Sequence, residues 1–108
     1  MDVITREELK AKLERGEPIK LVNVLEEWAF RAKHIPGSIN IPINGGSFDR
    51  LHRDEEVVVY CSGTPCPASW LAAKRLLSRG YQRIRYFAGG LAEWEEAGYP
   101  VEGEWVPA

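Results

Sequence analysis

The two cysteines of the chain lie in one short stretch, VVVYCSGTPCPASW, at positions 61 and 66. Cys61 ends an apolar run of strand-forming residues, and Cys66 precedes a helical pattern. A loop between a strand and a helix offers backbone N–H groups and the positive end of the helix dipole, which together stabilise an anion. Such a site lowers the pKa of a thiol and makes the thiolate available. The stretch is compatible with a nucleophile, a redox pair, a structural pair or a buried inert cysteine.

The loop between the two cysteines also predicts a cradle for an anionic group. Pro65 and Pro67 have no N–H to donate. Gly63 supplies the flexibility that a tight nest of amides needs. The donors that remain are the amides of Ser62, Gly63, Thr64 and Cys66.

Two other kinds of site are weakly indicated. Two separated histidines with one C-x4-C pair make a poor zinc pattern, because a second close pair of ligands is missing. Gly89 and Gly90 belong to no G-x-G-x-x-G motif and precede no P-loop lysine, so a turn before a helix is the better interpretation.

Composition narrows the class of protein. A chain of 108 residues predicts a single domain spanning 1–108. A formal net charge of -2 and a pI near 5.7 argue against nucleic acid and anionic membranes as partners. The charged, amphipathic start MDVITREELKAKLERG is not typical of a secretory signal. We therefore expect a cytoplasmic location, where thiols are normally kept reduced.

The elements that must position the cysteines alternate along the chain. Apolar runs predict strands over 19–25, 57–61 and 82–87, and amphipathic segments between them predict helices. Thr5 is expected to cap the first helix. The tryptophans 28, 70 and 94 are expected in the core or in a pocket wall. Alternation of this kind predicts an α/β fold with a parallel sheet and helices on both faces, and such sheets form sites at the carboxyl ends of their strands.

Several segments in this order resemble the rhodanese-like family of single-domain sulfurtransferases. They are LVNVLEEWAFRAKHIPGSINIP, VVVYCSGTPCPAS and RGYQRIRYFAGGLAEWEEAGYPV, and the resemblance covers about residues 4 to 102. The family implies a five-stranded parallel sheet with helices on both faces. It also implies that His34, in the HIPG segment, is structural and fixes its loop by hydrogen bonds.

The resemblance implies a function for Cys61. In the family, the cysteine that ends the central strand takes a sulfane sulfur from a donor such as thiosulfate, polysulfide or a persulfide. It becomes a persulfide and passes the sulfur to a thiol, including a protein thiol, or to cyanide. The loop amides of Ser62, Gly63, Thr64 and Cys66 would hold the transferred sulfur. No metal or organic cofactor is implied, and neither an oligomeric state nor a pathway is indicated.

The chain departs from the family pattern at two places. Many active members carry an arginine where this chain has Cys66, so a charge-assisted clamp for a dianion is missing from the loop. Arg31, Arg53 or Arg85 would have to approach from elsewhere. The aspartate and arginine that the family usually carries near the second strand, a pair that supports the loop, are replaced here by Asn23 and Leu25. The loss of that pair leaves the chemistry possible.

Cys66 is also a candidate resolving thiol, which would attack a persulfide on Cys61, release sulfide and leave a Cys61–Cys66 disulfide. Its competing interpretation is a residue that fills space at the start of the helix. Three alternatives to sulfur transfer stay open: a non-catalytic regulatory or sulfur-carrier module, a thiol redox protein, and a phosphatase of related fold. The phosphatase is disfavoured because its loop is one residue longer and ends in arginine, where this chain has Pro67.

Overall fold

Strands and helices alternate along the chain in the computed structural model, which describes residues 2–63 and 66–107. The strands are β1 (Asp2–Val3), β2 (Ile19–Asn23), β3 (Ile39–Asn40), β4 (Glu56–Tyr60) and β5 (Arg83–Phe87). The helices are α1 (Arg6–Glu14), α2 (Glu27–Ala32), α3 (Ala68–Ser78) and α4 (Gly90–Glu96). A single 3₁₀ turn, Phe48–Arg50, precedes β4.

The five strands form one parallel sheet in the order β1-β5-β4-β2-β3. Strand β4 is central, as its continuous apolar run predicts, because a parallel strand covered on both faces needs apolar side chains on both. Tyr60, its last residue, pairs with Asn23 of β2 and Phe87 of β5. The carboxyl ends of three strands therefore meet beside Cys61.

Two apolar clusters cover the two faces of the sheet, so the predicted α/β architecture is confirmed. One cluster joins α3 to the sheet and includes Val22, Val57, Val59, Cys61, Ala72, Ala73 and Leu76. The other joins α1 and α4 to the opposite face and includes Leu9, Leu21, Val58, Tyr60, Leu91 and Trp94. Each face thus acquires its own core.

Of the three tryptophans predicted to lie in the core or in a pocket wall, Trp94 lies in the core. Trp94 is buried and its indole N–H donates to the carbonyl of Pro100 at 2.8 Å. Trp28 and Trp70 are 58% and 41% exposed, so a core position is wrong for both. Each instead makes a surface contact, Trp28 with Trp105 and Trp70 with the ammonium group of Lys74.

Across residues 2–63 and 66–107, the structure contains no helix that combines the length and apolar character needed to cross a bilayer.

Candidate functional site

Cys61 directly follows the central strand and is almost completely buried, with 1% of its surface exposed. Its neighbours in the core cluster include Val24, Ile41 and Ala72, from the segment after β2, the segment after β3 and helix α3. The strand-end position predicted from the sequence is therefore present, and the surroundings of the sulfur are largely apolar.

The N-terminal end of α4 anchors the backbone on which Cys61 lies. The amide of Leu91 donates to the carbonyl of Cys61 at 2.9 Å, and the amide of Ala92 donates to the carbonyl of Ser62 at 2.8 Å. These N–H groups belong to the first turn of α4. The first N–H groups of any helix have no carbonyl partner within the helix itself. The carbonyls of the loop thus give hydrogen-bond partners to the first amides of α4, and the same bonds fix the position of the loop.

Gly90 is required by this close approach. Its φ is +59°, and a Cβ at this position would lie 2.5 Å from the carbonyl oxygen of Cys61 and 2.7 Å from the amide nitrogen of Gly63. The sequence predicts the turn at Gly89 and Gly90, which is present, but it does not reveal that the turn supports the cysteine loop. The contact follows from the strand order, because β5 lies next to β4 and the turn after β5 therefore meets the end of β4.

Cys66 lies over Cys61, and the structure joins the two sulfur atoms as a disulfide with the Cα atoms 6.7 Å apart. The Cα separation is within the range that disulfides ordinarily span. Cys66 is half-buried and packs against the same core cluster as Cys61. The carbonyl oxygen of Cys66 also lies 3.5 Å from the Cys61 sulfur.

Ser69 is a further polar neighbour of the sulfur, and the sequence interpretation did not identify it. Its side chain is 2% exposed, and its Oγ lies 3.8 Å from the Sγ of Cys61. Ser69 lies on the buried stripe of α3 together with Ala72, Ala73 and Leu76. A signal for its burial was present, because Ser69 is followed by apolar residues at i+3, i+4 and i+7. Its approach to Cys61 depends on how α3 packs.

The other predicted loop residues are placed as follows. Ser62 is exposed and Gly63 is buried, each on the segment that leaves Cys61. Thr64 lies outside the described residues. The role of the loop amides as donors to a transferred sulfur stays a prediction.

Asn23 and Leu25, at the positions of the family's usual aspartate and arginine, organise the segment that follows β2. The side-chain oxygen of Asn23 accepts from the amide of Leu25 at 2.9 Å. Asn40 donates its side-chain N–H groups to the carbonyls of both residues, at 3.1 and 2.9 Å. The Nδ2 of Asn23 is buried and has no hydrogen-bond partner of ordinary geometry among the described residues. The pair therefore organises the carboxyl end of β2 without adding charge to it.

His34 makes contacts that fit the structural role implied by the family. Its Nδ1 lies 2.7 Å from the carbonyl oxygen of Phe30, and its Nε2 lies 3.1 Å from the carboxylate of Glu102. Its ring stacks on that of Phe30, with centroids 4.0 Å apart. The histidine thus links α2 to the C-terminal segment.

Tyr60 fixes the segment that follows His34. Its hydroxyl accepts from the amide of Ile35 at 3.0 Å and lies 2.9 Å from the hydroxyl of Ser38, which donates to the carbonyl of Ile35 at 2.6 Å. Burial raises the pKa of Tyr60 above its ordinary value, so the neutral hydroxyl is maintained. The network holds the HIPG segment against the end of the central strand.

The three arginines considered as remote clamps are bound elsewhere. Arg85 donates to the carboxylate of Glu8 at 2.7 and 3.0 Å. Arg53 precedes β4, at the opposite end of the strand from Cys61, and donates to the carbonyl of Arg79 at 2.8 Å. Arg31 lies 3.6 Å from Glu27. These contacts direct the three guanidinium groups to partners outside the cysteine loop.

Arg75 belongs to α3, the helix that packs on the same face of the sheet as Cys61. Its guanidinium donates at 2.9 Å to the carbonyl of Ile43, a residue that packs on the cluster containing Cys61 and Cys66. Within the part of the chain that the structure describes, no group of three or more His, Cys, Asp or Glu side chains is placed to hold a metal ion.

Known proteins match the chain in sequence. It is 38% identical over 104 residues to an HTH-type transcriptional regulator of Mycobacterium tuberculosis, covering 94% of this chain and 45% of that protein. It is 32% identical to a sulfur carrier protein of Thermus thermophilus, covering 81% of this chain and 36% of that protein. The chain thus spans less than half of these two relatives. It is 28% identical to a sulfurtransferase of Allochromatium vinosum, covering 91% of this chain and 92% of that protein.

A solved structure and a family model agree with these matches. The fold superposes on a crystal structure of a Bacillus halodurans protein with a TM-score of 0.89 and 29% identity, covering 96% of this chain and 78% of that one. The model of the rhodanese-like domain matches residues 5–97. That range contains the sheet from β2 to β5, both cysteines and helix α4 through its last turn. The chain belongs to the rhodanese-like domain family.

Proposed function

We propose that this chain is a sulfurtransferase that carries sulfur as a persulfide on Cys61. The observation that carries the proposal is the position of Cys61, at the carboxyl end of the central strand on a backbone anchored by the first turn of α4. The similarity to a protein named as a sulfurtransferase, over most of both chains, supports the same reaction.

The reaction is two displacements at sulfur. The Cys61 thiolate attacks the sulfane sulfur of a donor, the donor's bond to that sulfur breaks, and the donor leaves with the electron pair. With thiosulfate the products are Cys61–S–S⁻ and sulfite. A thiolate or cyanide then attacks the outer sulfur, and the thiolate of Cys61 leaves. The amides of Ser62, Gly63, Thr64 and Cys66 are proposed to hold the outer sulfur during both steps, since amide donors stabilise its charge.

Cys66 is proposed as a resolving thiol for the same intermediate. The Cys66 thiolate attacks the inner sulfur of Cys61–S–SH, the bond to the outer sulfur breaks, and HS⁻ leaves while the Cys61–Cys66 disulfide forms. A pair of external thiols then reduces the disulfide and is itself oxidised. The contact between the two sulfur atoms supports this route. A cytoplasmic location is proposed because it would supply such thiols.

The test of the function is mass spectrometry of the reduced protein after incubation with polysulfide or thiosulfate. We expect one sulfur to be added at Cys61, transiently in the unsubstituted protein because Cys66 resolves the persulfide, and Cys61→Ser to lose both the adduct and turnover with cyanide. Cys66→Ser is the matched control, because it removes the other cysteine and should keep the adduct. Turnover by Cys61→Ser equal to that of the unsubstituted protein would reject the proposal.

A sulfur carrier is the second candidate, favoured by the similarity to a protein named as one. It differs in having no catalytic turnover with small acceptors. A stoichiometric adduct on Cys61 that passes to no added cyanide or small thiol would select the carrier.

A further inference from the structure

Ser69 presents a buried hydroxyl to the reacting sulfur. It lies in the first turn of α3, is 2% exposed, and has its Oγ 3.8 Å from the Sγ of Cys61. Buried hydroxyl groups are nearly always hydrogen-bonded, because leaving one without a partner costs free energy. Within residues 2–63 and 66–107, the sulfur of Cys61 contacts this side chain, and as a thiol it donates to the Oγ of Ser69.

The two polar neighbours of the sulfur act on different protonation states. The carbonyl oxygen of Cys66, at 3.5 Å, can only accept, so it favours the protonated thiol. The hydroxyl of Ser69 can also donate, and a thiolate has no hydrogen of its own to offer. On ionisation of Cys61 the bond therefore runs from the Ser69 hydroxyl to the sulfur, and a hydrogen bond to a charged acceptor is the stronger kind.

We propose that Ser69 donates a hydrogen bond to the sulfur of Cys61 and thereby holds the nucleophile as its thiolate. The inference rests on the proposed role of Cys61 as the nucleophile. Ser69 favours the attacking form when sulfur is accepted, and it favours the departing thiolate when sulfur is passed on. A thiol that ionises more readily is the better leaving group, so both displacements benefit from one hydroxyl.

The charged side chains of α3 are bound to other groups, so the hydroxyl of Ser69 is the polar side-chain group of this helix that contacts the sulfur. Lys74 lies over the ring of Trp70, 4.5 Å from its centroid. Arg75 donates to the carbonyl of Ile43 at 2.9 Å. Neither contact includes Cys61.

The experiment measures the rate of iodoacetamide alkylation against pH in the Cys66→Ser background, where Cys61 is the remaining cysteine. Ser69→Ala is expected to raise the pH midpoint of this rate by about one unit, which corresponds to a tenfold smaller thiolate fraction below the midpoint. Ser69→Thr keeps a hydroxyl and should keep the midpoint. Ser78→Ala removes an exposed hydroxyl from the last turn of the same helix and should leave it unchanged.

Alkylation requires no sulfur donor, so the result is independent of whether the chain transfers sulfur. Alanine is favourable within a helix, and Ser69→Ala is therefore expected to fold. If it does not, Ser69→Gly removes the hydroxyl without adding an atom to the buried site and takes its place. A folded hydroxyl-free variant whose midpoint equals that of Ser78→Ala would overturn the proposal.

Discussion

At the residue scale, the two cysteines differ in their surroundings although they lie in one loop. Cys61 is buried at a strand end with a hydroxyl beside it, whereas Cys66 is half-buried at the start of α3. A buried sulfur held by the backbone of two elements suits a nucleophile that must keep its position. A half-buried sulfur above it suits a thiol that attacks the intermediate and is then exposed to reductant.

The resolving role of Cys66 predicts a specific change in products. In Cys66→Ser, the persulfide on Cys61 should accumulate and sulfide release should fall by about tenfold or more, because the internal attacking thiolate is gone and its effective concentration is lost. The measurement pairs a sulfide assay with mass spectrometry of the same samples, without added thiol.

Ser62→Ala provides the control for this experiment. It alters an exposed hydroxyl in the same loop and keeps both cysteines, so the sulfide yield per persulfide should be retained. Release from Cys66→Ser at the rate of the unsubstituted protein would remove Cys66 from the pathway and leave it a packing residue.

At the element scale, α4 determines where the cysteine loop lies. Its first amides bind the carbonyls of Cys61 and Ser62, and Gly90 allows the two backbones to meet. Helix α3 contributes the hydroxyl of Ser69, which contacts the sulfur of Cys61. Cys61, the proposed nucleophile, thus lies between the N-termini of two helices. The first turn of α4 binds its backbone, and the first turn of α3 contacts its sulfur.

Gly90→Ala should disturb the loop more than the loss of a glycine alone would. The added Cβ would meet the carbonyl of Cys61 at 2.5 Å, and the residue has a φ of +59°. We expect a loss of about 1–3 kcal/mol in the free energy of unfolding and at least a tenfold loss of turnover, because small displacements of reacting groups are costly. Urea denaturation and a sulfurtransferase assay measure the two effects.

Gly98→Ala is the matched comparison. Gly98 also has a positive φ, +78°, but a Cβ there would meet nothing within 4 Å. Gly98→Ala therefore introduces backbone strain without a steric clash. Its free energy of unfolding should fall, while its turnover per folded molecule should equal that of the unsubstituted protein. Equal turnover in the two variants would show that α4 does not position the nucleophile.

The elements were largely predictable because their causes are local. The oxygen of Thr5 accepts from the amide of Glu8 at 3.1 Å and starts α1 where the sequence predicts. The apolar run through Val57–Val59 identifies the central strand. Contacts between distant segments were not predictable in this way. The bond from Leu91 to Cys61 and the approach of Ser69 depend on how the elements pack, which no pattern along the chain encodes.

The exposed tryptophans were mispredicted for a related reason. Trp28 and Trp70 are large and apolar, which favours burial, but each lies on the exposed face of its helix, α2 for Trp28 and α3 for Trp70. The side of a helix that faces the sheet is decided by the periodicity of the whole segment. The six residues of α2 show too little of this periodicity to predict which side of the helix faces the sheet.

At the scale of the whole molecule, the distribution of cations bears on the choice of sulfur donor. The chain has 14 lysines and arginines, but those considered as clamps are held by Glu8, Glu27 and the carbonyl of Arg79. Arg75 donates to the carbonyl of Ile43, a residue that packs on the cluster containing Cys61, so a carbonyl occupies one of its nitrogens. A dianion such as thiosulfate therefore has few free cationic groups to bind. Binding of a polysulfide or a protein persulfide depends less on such groups. We therefore predict a kcat/KM for thiosulfate well below that for polysulfide.

Substitution of Cys66 tests this argument by adding the missing charge. Cys66→Arg places a guanidinium where many relatives carry one, and a charge-assisted bond to the donor should raise kcat/KM for thiosulfate about tenfold relative to Cys66→Ser. Both variants lack the second thiol, so the comparison isolates the cation. Polysulfide should respond much less, because it offers no sulfonate group to the arginine. The measurement is initial-rate cyanide assays with each donor at matched concentrations. An equal rise with both donors would mean that the arginine acts on Cys61 itself, and a high thiosulfate rate in the unsubstituted chain would mean that its existing cations already suffice.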